Sequence, residues 1–189
     1  MAASLRVRPK VAWDMVRYAE PAEFDDVADL LLRANREYRG VLPDSIYRAY
    51  TEGLRALATN PQLHDDCELL VVGGCNALMG TVTFFPDAGA EGVGLPKGWA
   101  GLRALAVDPA ARGMGLGRRL SEAAIGRARA IGAPVICLHN AAFQAPARQL
   151  YLDLGFVRCP QYDFDAADFP AFSPKGEHMA VEAFALRLI

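Results

Sequence analysis

The stretch from Leu102 to Arg119, LRALAVDPAARGMGLGRR, constrains the fold of this chain most. Leu102, Ala104, Leu105, Ala106 and Val107 form an apolar run in which only Arg103 is polar, which reads as a strand ended by Asp108-Pro109. Leu116, Leu120, Ala123 and Ala124 then recur at helical spacing. Between strand and helix, Arg112, Gly113, Gly115 and Gly117 supply one guanidinium and several bare backbone amides where a helix begins. The positive end of a helix dipole and unshielded N–H groups together favour an anion. Strand, glycine loop and helix, in that order, make a phosphate-binding corner.

A dinucleotide-binding loop carries glycines at its first, third and sixth positions, with an acid about twenty residues on for a ribose hydroxyl. Counting from Gly113, the sixth position is Arg118, and no Asp or Glu stands near Ala133. The loop reads instead as Arg-x-x-Gly-x-Gly over Arg112, Gly115 and Gly117.

With 189 residues, 52% of them hydrophobic and 22% charged, the chain has material for one globular domain, expected over residues 11–189 behind a loose basic tail at 1–10. The net charge of -2 gives no global field for nucleic acid or an anionic membrane, so neither is an expected partner. Attraction for an anion must be local, and Arg112, Arg118, Arg119, Arg127 and Arg129 do crowd the loop and its helix. Cys67, Cys75, Cys137 and Cys159, with His64, His139 and His178, show no metal-ligand spacing, so no metal is expected. Cys67 and Cys137 lie in or beside apolar runs and read as small buried hydrophobes. Without a signal peptide or an apolar run of about eighteen residues, the expected location is cytoplasmic, with reduced thiols.

Along the chain, residues 11–19 read as a first strand. A helix follows from Pro21, with Glu23, Asp25, Asp26 and Asp29 near its start and Val27, Leu30, Leu31, Ala34 and Tyr38 on one face, up to Gly40. A second helix places Ile46, Tyr47, Tyr50, Leu54, Leu57 and Ala58 at spacings of three and four until Asn60-Pro61. Such a pair often borders a binding cleft, and Glu37 and Tyr38 are either substrate-facing or plain surface and core. Residues 67–84 read as a hairpin turning at Gly73-Gly74, and residues 87–99, with four glycines and a proline, as a mobile loop. Past the glycine loop, a helix to about Gly132, a parallel strand at 134–138, a helix at 145–154 closed by Gly155-Phe156, and strands at 156–162 and 178–188 complete the chain. The long aromatic and acidic loop between those last strands is of a length that usually serves function.

The Arg112–Gly117 loop, the element order and the later segment Ala147, Leu150, Tyr151, Gly155 and Phe156 together resemble the GNAT superfamily of N-acyltransferases, over about Val11 to Leu188. A variant of Asn-x-x-Ala-x-x-Leu-Tyr-x-x-x-Gly-Phe is common there, and Gln144 occupies the Asn position here. The resemblance implies a mixed α/β fold: a mostly antiparallel central sheet of about six or seven strands, flanked by about four helices, with a parallel β-α-β unit that binds acyl-CoA. It implies acetyl-CoA as co-substrate. The diphosphate would lie on Arg112, Gly113, Met114, Gly115, Leu116, Gly117 and Arg118, and the pantetheine along the backbone of Leu105, Ala106 and Val107, with Gln144 and Ala147 nearby. An extended amide-bearing arm suits an open strand edge.

The implied reaction is direct attack of a neutral primary amine, on a small molecule or a protein, through a tetrahedral oxyanion held by backbone amides near Leu105–Val107. Tyr151 is the expected partner of the departing thiolate, by hydrogen bond rather than full proton transfer. A phenol near pKa 10 protonating a thiolate near 8.5 runs uphill by roughly 2 kcal/mol. For the base, His139 is the nearest choice, with Glu68, Glu91 and His178 as alternatives. Asp163, Asp165 and Asp168 either draw a cationic amine or form an acidic surface. A catalytically silent acyl-CoA-binding sensor, a nucleotide-binding protein without acyl chemistry and a homodimeric assembly stay open.

Overall fold

The computed structural model describes residues 15–60, 64–74 and 77–189. The expected tail at 1–10, the beginning of the expected first strand and Cys75 fall outside the described residues. The elements are β1 (Arg17–Tyr18), α1 (Phe24–Ala34), α2 (Asp44–Thr59), β2 (Glu68–Gly74), β3 (Ala77–Phe85), β4 (Ala100–Val107), α3 (Leu116–Ala130), β5 (Val135–Ala141), α4 (Ala145–Asp153), β6 (Val157–Arg158), β7 (Phe164–Asp165) and β8 (Ala180–Arg187).

All the strands join one eight-stranded sheet in the order β1-β2-β3-β4-β5-β8-β6, with β7 also on β8. The pair β4–β5 is parallel and the other pairs are antiparallel. The fold is thus the expected mixed α/β sheet with four helices. The extra strand arises because β6 and β7, two residues each, both pair with β8. The expected strand at 156–162 stops at Arg158, since Pro160 opens a 3-10 turn and has no N–H for a ladder.

Alternation along the strands sends each set of side chains to one face. On one face Val82, Phe84, Leu102, Ile136 and Leu138 pack against Leu116, Leu120 and Ala124 of α3. On the other, Leu69, Val71 and Ala106 are covered by Val27, Leu30 and Leu31 of α1 and Leu54 of α2. Farther along that second face the helices give way to loops: Ala88, Val93 and Leu95 cover Val135, Cys137 and Ala185, with Phe164 and Phe172 beside them. The loop at 87–99 is therefore packed down rather than detached, and the Asp87 carboxylate accepts from the Gly89 and Gly98 amides to hold it. Cys67 and Cys137 are buried among apolar neighbours as expected.

Candidate active site

The glycine loop forms as read from the sequence. Gly113 and Gly115 both take left-handed backbone (φ 77° and 76°), where a side chain is strained, and Gly115 caps α3. The N–H groups of Leu116, Gly117 and Arg118 have no carbonyl a turn behind them and point out of the helix start. They border a pocket of about 370 Å³ walled by Val107, by residues of the loop from Ala111 to Arg118 other than Met114, and by Leu150 of α4. A Cβ on Gly117 would lie 3.3 Å from the Leu150 side chain, so a larger residue would crowd that wall.

Arg112 borders the pocket but spends its guanidinium on Glu37, at 2.8 and 2.9 Å, and on the Ala34 carbonyl at 3.0 Å. Glu37 is correspondingly held below the usual carboxylate range by this hydrogen-bonded partner. The pair ties the loop to the end of α1, and because both side chains are near half exposed, solvent screens it and it contributes little net stability. Among the described residues, Arg118 makes only a 3.9 Å contact with Glu122.

The strand before the loop has one open edge. β4 and β5 pair only at Ala100↔Ile136 and Gly101↔Cys137, although the strands continue to Val107 and Ala141. Beyond Gly101 the two part, leaving backbone groups of β4 without a ladder on that side, and Leu105, Ala106 and Val107 lie on this stretch. Against β3 the same strand is bulged: the register passes from Thr83↔Arg103 to Thr81↔Ala106, so β4 holds one extra residue, and Ala104 adopts φ 54°. A left-handed alanine is uncommon and costs energy, and bulges of this kind re-aim backbone groups beside functional clefts.

His139, two residues past the last β4–β5 pair, has its Nε2 2.8 Å from the Tyr162 carbonyl. A carbonyl only accepts, so Nε2 carries the hydrogen and the neutral ring keeps a lone pair on Nδ1. Burial lowers its pKa below the ordinary histidine value, outweighing the opposing Tyr162 bond, and the ring meets Phe164 edge to face at 4.9 Å. Of the other base candidates, Glu68 is gripped by Arg127 at 2.7 and 2.8 Å. His178 is 86% exposed and lies 3.2 Å from Asp165. Nothing is described for the Glu91 side chain.

Tyr151 is only 5% exposed and packs edge to face on Phe156 within the main core. Burial, and to a smaller degree Tyr50, raises its phenol above the ordinary tyrosine value. Ala147 packs against the same core. Gln144, at the start of α4, accepts from the Ala141 N–H at 3.1 Å and donates to the Tyr50 hydroxyl at 3.1 Å. Tyr50 in turn donates to Asn35 at 2.9 Å, and Asn35 donates to the Leu31 carbonyl. This relay ties α1, α2 and α4 together, and Gln144 is occupied within it. Tyr38 and Tyr50 also meet Phe143 edge to face.

Asp163, Asp165 and Glu177 of the long loop are internal fasteners, whereas Asp168 makes no hydrogen bond or ion pair among the described residues. Asp163 takes Arg158 at 2.7 Å with both oxygens and the Ala183 N–H at 2.8 Å. Asp165 accepts from the Ala167 and Met179 amides. Glu177 accepts from Ser45 at the start of α2 and from Ser173, strapping this loop to the helix. Tyr50 and Arg103 are not among the site residues expected from the sequence. Tyr50 is hidden in an apolar stripe, whereas Arg103 is signalled by being the lone charge in an apolar strand.

Among the described residues, no group of three or more His, Cys, Asp or Glu side chains could hold a metal, and no helix is long and apolar enough to cross a membrane. Comparison with curated protein sequences gives no match. Solved structures share the fold. An acetyltransferase of the GNAT family from Staphylococcus aureus Mu50 superposes with TM-score 0.65 at 15% identity, covering 93% of this chain and 99% of that one. A ribosomal-protein-alanine N-acetyltransferase from Brucella melitensis gives 0.63 at 20% identity, covering 92% and 99%. The yncA protein of Salmonella typhimurium, solved with its cofactor acetyl-CoA, gives 0.61 at 19% identity, covering 93% and 94%. The profile described as the Acetyltransferase (GNAT) family matches residues 24–156, well over half of the chain, and this chain belongs to the GNAT acetyltransferase family.

Proposed function

We propose that this chain transfers an acetyl group from acetyl-CoA to the nitrogen of a primary amine. The observation that carries this reading is the parting of β4 and β5 directly beside the glycine-loop pocket: an open strand edge meets an anion-binding helix start. The amides of Gly113–Arg118 suit the diphosphate. The free edge at Leu105–Val107 suits the amide-bearing pantetheine arm, and Arg112 joins them if it leaves Glu37.

The neutral amine nitrogen attacks the thioester carbon, forming the N–C bond and a tetrahedral oxyanion, for which the backbone N–H groups around the Ala104 bulge are suited donors. Collapse breaks the C–S bond and releases the thiolate, while the nitrogen loses a proton. His139, neutral at physiological pH and open at Nδ1, is the base this reading assigns. The role this reading assigns to Tyr151 is a hydrogen bond to the leaving sulfur. With its phenol above pKa 10, full transfer to a thiolate is more uphill than the roughly 2 kcal/mol of the unperturbed pair.

Incubating purified protein with acetyl-CoA and a broad panel of amines, while following free thiol, tests the reading. Turnover is expected, and Tyr151→Phe should reduce kcat far more than it weakens acetyl-CoA binding. Absence of both turnover and acetyl-CoA binding refutes the proposal, and binding without turnover supports a silent acyl-CoA module instead.

A further inference from the structure

Arg103 has no task in that mechanism, yet its position is costly. It is partly buried on β4 and makes no hydrogen bond or ion pair with any described residue; the Phe172 ring lies 5.5 Å from its guanidinium carbon. Asp163, which like Arg103 acts on His139, is already engaged by Arg158. A cation withdrawn from water without an anion is unfavourable, and a contact with one ring offsets only part of that.

Strand register says what Arg103 faces. The last β4–β5 pair is Gly101↔Cys137, so Arg103 and His139 each stand two residues beyond it, and a step of two returns side chains to the same face. They therefore flank one gap, at the point where the strands part. The positive charge of Arg103 is felt at both neighbours, disfavouring the protonated form of His139 and favouring ionisation of Tyr50. Rings of Phe164 and Phe172 line the side of this gap formed by the long loop, in contact with His139 and Arg103 respectively.

We propose that Arg103 determines acceptor specificity: the acceptor is a free α-amino acid with an apolar side chain, and Arg103 binds its carboxylate where β4 and β5 part. This rests on the acetyl-transfer reading above and narrows its substrate class. A planar guanidinium matches a carboxylate with two parallel hydrogen bonds, which a lysine cannot do. A carboxylate held there sets the amine, one carbon away, between His139 Nδ1 and the open β4 edge. The apolar side chain then meets the phenylalanine rings.

Matched pairs test this: L-leucine against L-leucinamide and L-phenylalanine against L-phenylalaninamide, with wild type, Arg103→Gln and Arg103→Lys. The amides hold more neutral amine at neutral pH, so amine reactivity alone would favour them. Wild type is expected to prefer the acids by about tenfold or more in kcat/KM. Arg103→Gln should lower kcat/KM for the acids by about 10- to 100-fold, mainly through KM, and leave the amides and the Kd for acetyl-CoA within about twofold, with Arg103→Lys intermediate. Amides used as well as acids by wild type, or equal losses on both in Arg103→Gln, would overturn the proposal. A second readout is independent of acyl chemistry: L-leucine or L-phenylalanine should raise the Tm of wild type but not of Arg103→Gln. If that difference holds and no acetyl transfer occurs, the carboxylate site stands and the acetyl-transfer reading falls. If neither amino acid shifts Tm or turns over, the carboxylate site is refuted whatever acetyl-CoA does.

Discussion

Replacing Tyr50 with Phe removes a single oxygen that joins three helices through hydrogen bonds of 2.9 Å to Asn35 and 3.1 Å from Gln144. The two partners fare differently. Asn35 is 7% exposed, so its Oδ1 would be left buried and unpaired, at about 1–3 kcal/mol, while its Nδ2 keeps the Leu31 carbonyl. Gln144 is only half-buried and still accepts from Ala141, so water replaces part of its loss, at about 0.5–1 kcal/mol. Against this, phenylalanine no longer desolvates a hydroxyl. The net destabilisation is about 2–3 kcal/mol, which for a chain of this length lowers Tm by about 5–10 °C. Urea unfolding should show the midpoint falling with the m-value unchanged. A cycle with Gln144→Ala should return a coupling of about 1 kcal/mol, because the second cut of the same relay costs less than the first. Acetyl-CoA affinity should fall severalfold, since α4 carries Leu150 of the pocket wall. A Tyr50→Phe midpoint within about 0.5 kcal/mol of wild type would refute the reasoning and make that hydroxyl effectively solvated.

In His139→Gln, kcat should drop and the acid limb of the pH profile should change. Wild-type kcat/KM is expected to rise with pH through a pKa below the ordinary 6.5 of histidine as Nδ1 loses its proton. An unchanged profile in the variant removes His139 from the chemistry. Gly115→Ala forces a side chain into left-handed backbone and should cost about 1–2 kcal/mol by denaturation, with weaker acetyl-CoA binding by calorimetry. Glu23, held by Arg17 at about 2 against an unfolded 4.5, contributes stability that is fully present above pH 4.5 and lost as pH falls from there towards 2. Unfolding curves of Glu23→Gln should lose that component of the acid dependence, and identical curves would deny it.

Much of the donor half of this site was legible in the order of residues. Apolar alternation from Leu102 to Val107, the stop at Asp108-Pro109 and the helical recurrence after Leu116 are local patterns, and glycines at Gly113 and Gly115 report backbone angles that need no distant partner. Such signals survive in a linear text because strand, turn and helix preferences act between near neighbours. What lay beyond reach were the partners chosen across the fold. Arg112 reads as an anion ligand, and only the fold shows that Glu37, 75 positions away, occupies it in this structure. Gln144 reads as a cofactor contact, and only the fold shows that it donates to Tyr50, 94 positions away. Asp163 and Asp165 read as either a draw for a cationic amine or an acidic surface, and only the fold shows Arg158 and the Met179 and Ala183 amides bound to them. The sharpest case is Arg103 beside His139. Each is conspicuous alone, but only the register that stops at Gly101↔Cys137 sets a guanidinium and an imidazole across one gap. The sequence by itself determined the strand, glycine loop and helix start from Leu102 to Arg119, because that unit is built from consecutive backbone. Tertiary structure alone decided what stands across the β4–β5 gap, because that arrangement is built from side chains whose neighbours depend on strand register and loop packing.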